Sequence, residues 1–167
     1  MDGPVSADEE LADEAAMRLA IEEARAALAH DDVPIGALVL AAGRVVARAH
    51  NERERLADPT AHAELLVLRQ AAAALGRWRL GECTLVVTIE PCAMCAGAIV
   101  LARLRRVVFG AFDPKAGACG SLYNLCADPR LNAEPELRAG VLAEECGQLV
   151  QAFFAGRRPR GAGGRPT

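Results

Sequence analysis

The stretch Thr84-Leu-Val-Val-Thr-Ile-Glu-Pro-Cys-Ala-Met-Cys95 decides how this chain is organised. Its first half, Thr84–Ile89, is a continuous apolar and β-branched run, the pattern of a strand covered on both faces of a sheet. Its second half passes through Glu90 and places Pro91 where helices accept proline in their first turn, so a helix is expected to run from there to about Leu101. A buried strand feeding directly into a helix is the repeating unit of a layered α/β protein.

The flanking sequence extends that unit in both directions. Upstream, Val33–Leu40 reads as a buried strand, Ala41–Arg44 as a tight turn and Val45–Ala49 as a second strand, together a hairpin. Asn51 to Pro59 is polar and reads as a loop. Thr60 is the expected cap of a helix reaching about Leu75, with Leu65, Leu66, Leu68, Ala72 and Leu75 at its apolar positions. Downstream, Arg106–Phe109 is a fourth strand and Leu137–Ala139 a short fifth. Amphipathic helices close the two ends, one over residues 8–29 and one over Val141–Ala155, where Phe153 and Phe154 read as packing residues. Ser6 suits an N-cap, with Asp8, Glu9 and Glu10 complementing the positive helix end. The expected fold is a three-layer α/β/α domain around a central mixed five-stranded sheet. It should occupy residues 1–158, with the Arg-, Gly- and Pro-rich residues 159–167 fraying as a tail.

Composition narrows the function. The chain has 167 residues, 52% apolar and 25% charged, which excludes a fibrous repeat or a wholly disordered chain. Its longest uncharged stretches, such as Pro91–Ala102, are 12 residues, too short for a membrane-spanning helix. The net charge of −3 argues against nucleic-acid binding by bulk electrostatics, although Arg157, Arg158, Arg160 and Arg165 gather at one end. The chain opens without a charged-then-apolar leader, so a cytoplasmic setting is expected. In that reducing compartment its 6 cysteines suit metal binding, catalysis or burial better than disulfides.

Two segments carry chemistry: Pro59-Thr-Ala-His-Ala-Glu64 and Glu90-Pro-Cys-Ala-Met-Cys95. Each falls at an expected helix start. Cys92 and Cys95, three apart on one helix, share a face. A helix N-terminus favours thiolate, the ligand form of cysteine. Two thiolates with the imidazole of His62 suit zinc, and three protein ligands leave one tetrahedral position open, the mark of a catalytic rather than a structural site. Neither His30 nor His50, nor Cys83, Cys119, Cys126 or Cys146, makes a second CxxC or HxxxH. The four remaining cysteines read as small buried hydrophobes, and the two histidines as loop or strand-end residues. Glu64, two residues past His62, can reach the open side. A carboxylate there can take a proton from an attacking water, then deliver protons to a ring nitrogen and a departing amine. A CxxC pair alone would equally suit a redox dithiol, and HxE alone says little. HxE and PCxxC at consecutive helix starts, with a strand between, form the signature of zinc-dependent nucleobase deaminases.

On those residues, and on Val33-Pro-Ile-Gly-Ala37, His50-Asn51, Arg105-Arg-Val-Val-Phe-Gly-Ala111, Asp113-Pro-Lys-Ala-Gly117, Gly120-Ser-Leu122 and Glu144-Glu-Cys146, the chain resembles the bacterial tRNA-specific adenosine deaminases of the cytidine deaminase-like superfamily. The resemblance runs from about Ala16 to Arg158. It implies one zinc per subunit, held by His62, Cys92 and Cys95, with Glu64 as the proton shuttle that converts adenosine to inosine at the wobble position of a tRNA anticodon. Asn51 matches a position that contacts the purine, and Val33, Pro34 and Ile89 match its apolar pocket wall. Backbone amides near Ala63 and Cys92 would orient the base. Asp113 and Lys115 match a loop gripping the neighbouring nucleotides, where an acceptor for a ribose 2′-hydroxyl favours RNA over DNA. Asn124 stands where some members carry Asp and keeps an acceptor. The resemblance also implies a homodimer contacting the anticodon stem-loop. Two rivals stand beside this reading: a deaminase of free bases or nucleosides using the same chemistry, and a metal-stabilised RNA-binding scaffold, against which Glu64 argues.

Overall fold

A computed structural model describes residues 6–157; the Arg-rich segment expected to fray, 159–167, lies outside the described residues. The elements run α1 (Ala7–Ala26), a 3-10 turn (Ala27–His30), β1 (Gly36–Ala41), β2 (Arg44–His50), a short α2 (Arg53–Leu56), α3 (Ala63–Leu75), β3 (Thr84–Ile89), α4 (Ala93–Leu101), β4 (Arg106–Ala111), a second 3-10 turn (Leu125–Ala127), β5 (Glu136–Arg138) and α5 (Ala143–Ala155). The strands form one five-stranded sheet in the order β2-β1-β3-β4-β5. β1 is antiparallel to both β2 and β3, while β3, β4 and β5 are parallel. The sheet is therefore mixed and the architecture is the expected three layers.

Alternation along the strands builds the layers. Leu38, Val86 and Val108 turn to one face and meet Met17, Ala20 and Ile21 of α1 and Cys146 of α5. Val39, Val87, Val107 and Phe109 turn to the other, against Val67, Leu68 and Ala71 of α3 and Ala96, Ile99 and Val100 of α4. This period of two explains why β3 is apolar without interruption: both of its faces are covered. Gly36 lets α1 lie directly on β1. A Cβ built there would sit 2.1 Å from the Ala20 carbonyl oxygen, an impossible contact.

Most boundaries move by one to three residues from the sequence expectation, and three of the shifted starts bear on the site. β1 begins at Gly36 rather than Val33, because Pro34 has no N–H to give a ladder and the Ile35 N–H bonds back to the Val33 carbonyl. α3 begins at Ala63 rather than just after Thr60. The Thr60 N–H and hydroxyl both donate to Asp58 Oδ1, at 2.8 and 2.7 Å, and so form a turn before the helix. α4 begins at Ala93, one residue beyond Cys92 rather than at Pro91. Ser6 caps α1 as expected, with Glu9 completing a reciprocal capping box. No helix among the described residues is long and apolar enough to cross a membrane.

Candidate active site

The shifted helix starts matter to the chemistry. His62 and Cys92 occupy the N-cap positions of α3 and α4, each with extended backbone, and neither spends its side chain on capping. Both side chains are thus left at the positive end of a helix, where a negative ligand is favoured. His62 Nδ1 lies 3.7 Å from Cys92 Sγ and 3.6 Å from Cys95 Sγ. A tetrahedral ion with nitrogen and sulfur legs of about 2.0 and 2.3 Å would give such an edge a length of about 3.5 Å. The Cys92 thiol is held far down, at about 3, by a hydrogen bond from the Cys95 thiol and by His62. Donating that bond, together with burial, pushes Cys95 the opposite way. Contact with Cys92 raises His62. The donor set, its spacing and a ready thiolate fit a zinc-type ion.

Glu64 is buried at 4% exposure, against the Cys95 thiol. Its Oε2 has no hydrogen-bond partner among the described residues. Burial pushes its carboxyl up to about 7, the range in which a group both gives and takes protons near neutral pH. A buried partnerless oxygen is costly for stability alone, and its presence here points to an external partner.

The other expected residues divide. Asn51 is buried, and its Oδ1 accepts the Ala63 N–H at 2.9 Å. The Ala63 amide, expected to orient a base, is therefore engaged in orienting Asn51. Val33, Ile89, Asp113 and Lys115 line one cavity of about 570 Å³, whose lining does not include His62, Glu64, Cys92 or Cys95. Pro34 does not: it is buried between Val33 and Ile35, and Ile35 takes the lining position. Asn124 is exposed at the start of the second 3-10 turn and does not line the cavity. Asp113 Oδ1 accepts the N–H groups of Lys115 and Ala116, at 3.0 and 3.2 Å, so one carboxylate oxygen closes its own turn. Cys83, Cys119, Cys126 and Cys146 are buried.

Sequence reasoning missed two contributors. Phe154 is 50% exposed and lines the cavity with Phe112, rather than packing into the core. The apolar period of α5 could not separate a core position from a cavity wall. Glu90 is the second. It is buried, and its carboxylate accepts the N–H groups of Asp113, Cys119 and Ser121 and the Ser121 hydroxyl. These four bonds organise the segment Asp113–Ser121 from the residue that follows Ile89, three before α4 begins. Gly117 is required beneath it, since a Cβ there would stand 2.3 Å from the carboxylate. The same segment is tied to the start of α4 by the Ala118 N–H donating to the Pro91 carbonyl at 2.8 Å. The signal in the sequence was a charged residue inside an otherwise apolar strand-to-helix junction.

A mixed sheet with a His/Cys/Cys cluster at two helix starts and a buried carboxylate beside it is the arrangement of the cytidine deaminase-like deaminases. The sequence matches the MafB19-like deaminase family over residues 11–158. It is 54% identical over 142 residues to the tRNA-specific adenosine deaminase of Bacillus subtilis, covering 85% of this chain and 88% of that one. To the enzyme of the same name from Agrobacterium fabrum it is 45% identical, covering 85% and 93%. Among solved structures it superposes with TM-score 0.78 and 45% identity on one from a study of A-to-I editing by tRNA:A34 deaminases, covering 81% of this chain and 98% of that one. A guanine deaminase from Nitrosomonas europaea is more distant at 27% identity, with TM-score 0.73 and 85% and 84% covered. The chain belongs to the MafB19-like deaminases and, among them, to the tRNA-specific adenosine deaminase family.

Proposed function

We propose that this protein hydrolyses adenosine to inosine at the wobble position of a tRNA anticodon, releasing ammonia. The observation that carries the reading is the buried Glu64 carboxylate, with a partnerless oxygen, beside His62, Cys92 and Cys95. Those three side chains would hold one zinc per subunit, which when bound supplies the Lewis acidity that makes water a nucleophile at neutral pH. Glu64 takes the proton released as water adds to the ring carbon bearing the amine. It delivers that proton to the adjacent ring nitrogen, then takes the proton of the hydroxyl now on the ring carbon and passes it to the amine as the carbon–nitrogen bond breaks and the carbonyl forms. A group poised near 7 suits both directions of transfer.

The cavity bounded by Val33, Ile89 and Phe154 would receive the base once it leaves its stack. Asn51, aimed by the Ala63 amide, would hold the purine edge. Asp113, one oxygen committed to its turn, would offer the other to a ribose 2′-hydroxyl, and Lys115 would meet a neighbouring phosphate. Acting on tRNA places the protein in the cytoplasm. A homodimer fits this family membership, and the apolar groove lined by Leu65 and Leu68 of α3, Leu101 of α4 and Trp78 of the segment after α3 is the face we assign to it.

The test is inosine formation on an anticodon stem-loop, with free adenosine, cytosine and guanine as competitors. Inosine at the first anticodon position is expected. Activity confined to free bases would overturn the tRNA reading and favour the free-base alternative.

A further inference from the structure

We propose that His30, His50 and Glu52 form a second metal site, which takes a divalent transition ion of the zinc type. Their ligand atoms all lie within 4.8 Å of one another. The three residues come from separate places: His30 ends the 3-10 turn after α1, His50 ends β2, and Glu52 follows it. Nothing in the deamination chemistry uses them.

His50 is the decisive residue. Its Nδ1 stands 2.7 Å from Glu23 Oε1 on α1, so Nδ1 carries a hydrogen and donates it to the carboxylate. In the neutral imidazole, the form that binds a metal, the lone pair then sits on Nε2. That nitrogen is buried, has no hydrogen-bond partner among the described residues, and faces Glu52 Oε1 at 3.6 Å. Such a separation is too long for a hydrogen bond. It is close to the edge, about 3.4 Å, of a tetrahedron with nitrogen and oxygen legs of about 2.1 Å. The catalytic cluster shows the same spacing between His62 and its cysteines.

The surroundings suit a cation. Glu23 stands behind His50 as the carboxylate that fixes a metal-binding imidazole in its tautomer. Glu23 and Glu52 contribute two negative charges against the Arg55 guanidinium, which donates to Glu52 Oε1 through Nε at 3.0 Å and Nη2 at 2.8 Å and which an ion at that oxygen would have to displace. The His30 ring stacks on His50 with centroids 5.6 Å and planes 16° apart, so its nitrogen is near, and the ring would have to turn about its Cβ–Cγ bond for the in-plane lone pair to meet the same ion. Two imidazoles and one carboxylate select zinc, cobalt or nickel over the all-oxygen preference of calcium and magnesium. An ion here would pin the end of α1 to the segment that begins at Glu52. That segment returns by the Glu52 N–H to Ala61 carbonyl bond at 3.0 Å, just ahead of His62.

Cobalt(II) titration of the full chain tests the proposal independently of the catalytic reading. Cobalt at His62, Cys92 and Cys95 shows an intense thiolate charge-transfer band, whereas cobalt at His30, His50 and Glu52 does not. The expected result is two equivalents per chain, one with the band and one without. His30→Ala and Glu52→Gln should each abolish the bandless equivalent and leave the other, whose unchanged band also reports a folded variant. Glu23→Gln should weaken the bandless equivalent by roughly tenfold to a hundredfold. A wild-type chain that binds only band-forming cobalt overturns the proposal. So does a bandless equivalent that survives in both His30→Ala and Glu52→Gln.

Discussion

Glu64 carries the proposed chemistry on a single oxygen. Glu64→Gln keeps size and shape but can neither accept nor return a proton. It should retain metal, measured by elemental analysis, and lose about 10²–10⁴-fold in deamination rate; a variant of near wild-type rate would remove the shuttle role. Glu90 acts one step away, through the loop it holds. Glu90→Gln replaces one acceptor oxygen with an NH₂ that faces N–H donors, so the Asp113–Ser121 segment should loosen. We expect KM for the stem-loop to rise about tenfold, or about 1.4 kcal/mol, with kcat changed less. Equal loss in both parameters would instead place Glu90 in the chemical step. The two residues differed in legibility for a physical reason. His62, Glu64, Cys92 and Cys95 sit at short fixed spacings on two helix starts, so helical geometry alone brings them near their roles. The partners of Glu90 arrive from 23 to 31 residues further on, and no local pattern announces their return.

The elements followed the hydrophobic periods closely, and the misplaced boundaries were those set by hydrogen bonds. Thr60 has the chemistry of a cap but spends it on Asp58, so the cap falls to His62. That two-residue shift takes His62 out of the first turn and leaves its imidazole free for a ligand role. Between elements, one contact spans the sheet's far end. Arg106 on β4 pairs with Asp13 on α1 at 2.7 Å, both almost fully buried, and with Glu136 on β5 at 2.9 Å. Arg138 adds a 2.9 Å contact to the same aspartate. Asp13→Ala would strand a buried guanidinium, so a loss of about 3 kcal/mol in unfolding free energy is expected. A chemical denaturation midpoint unchanged from wild type would show that Glu136 alone suffices. The strand and helix patterns disclosed α1 and β4 separately, but not that a charge on each was destined for the other.

For the whole molecule, the face built by α3, α4 and the segment after α3 leaves Leu101 67% and Trp78 57% exposed, a poor surface for water and a good one for a second copy. Leu101→Asp should shift the protein to a monomer in sedimentation experiments while its fold, read by circular dichroism, persists. A dimer that tolerates the charge would move the interface elsewhere. The layered class and the mixed sheet were readable along the chain, and so was the grouping of His62, Cys92 and Cys95, because each rests on periodicity or on residues close in sequence. The places of Ile35 and Phe112 in the cavity wall, the engagement of the Ala63 amide by Asn51, the exposure of Phe154, the clamp of Glu90 and the meeting of His30 with His50 and Glu52 were not. Each depends on segments brought together only when the two faces of the sheet are covered, and burial, not spacing, decides which polar groups then lack partners.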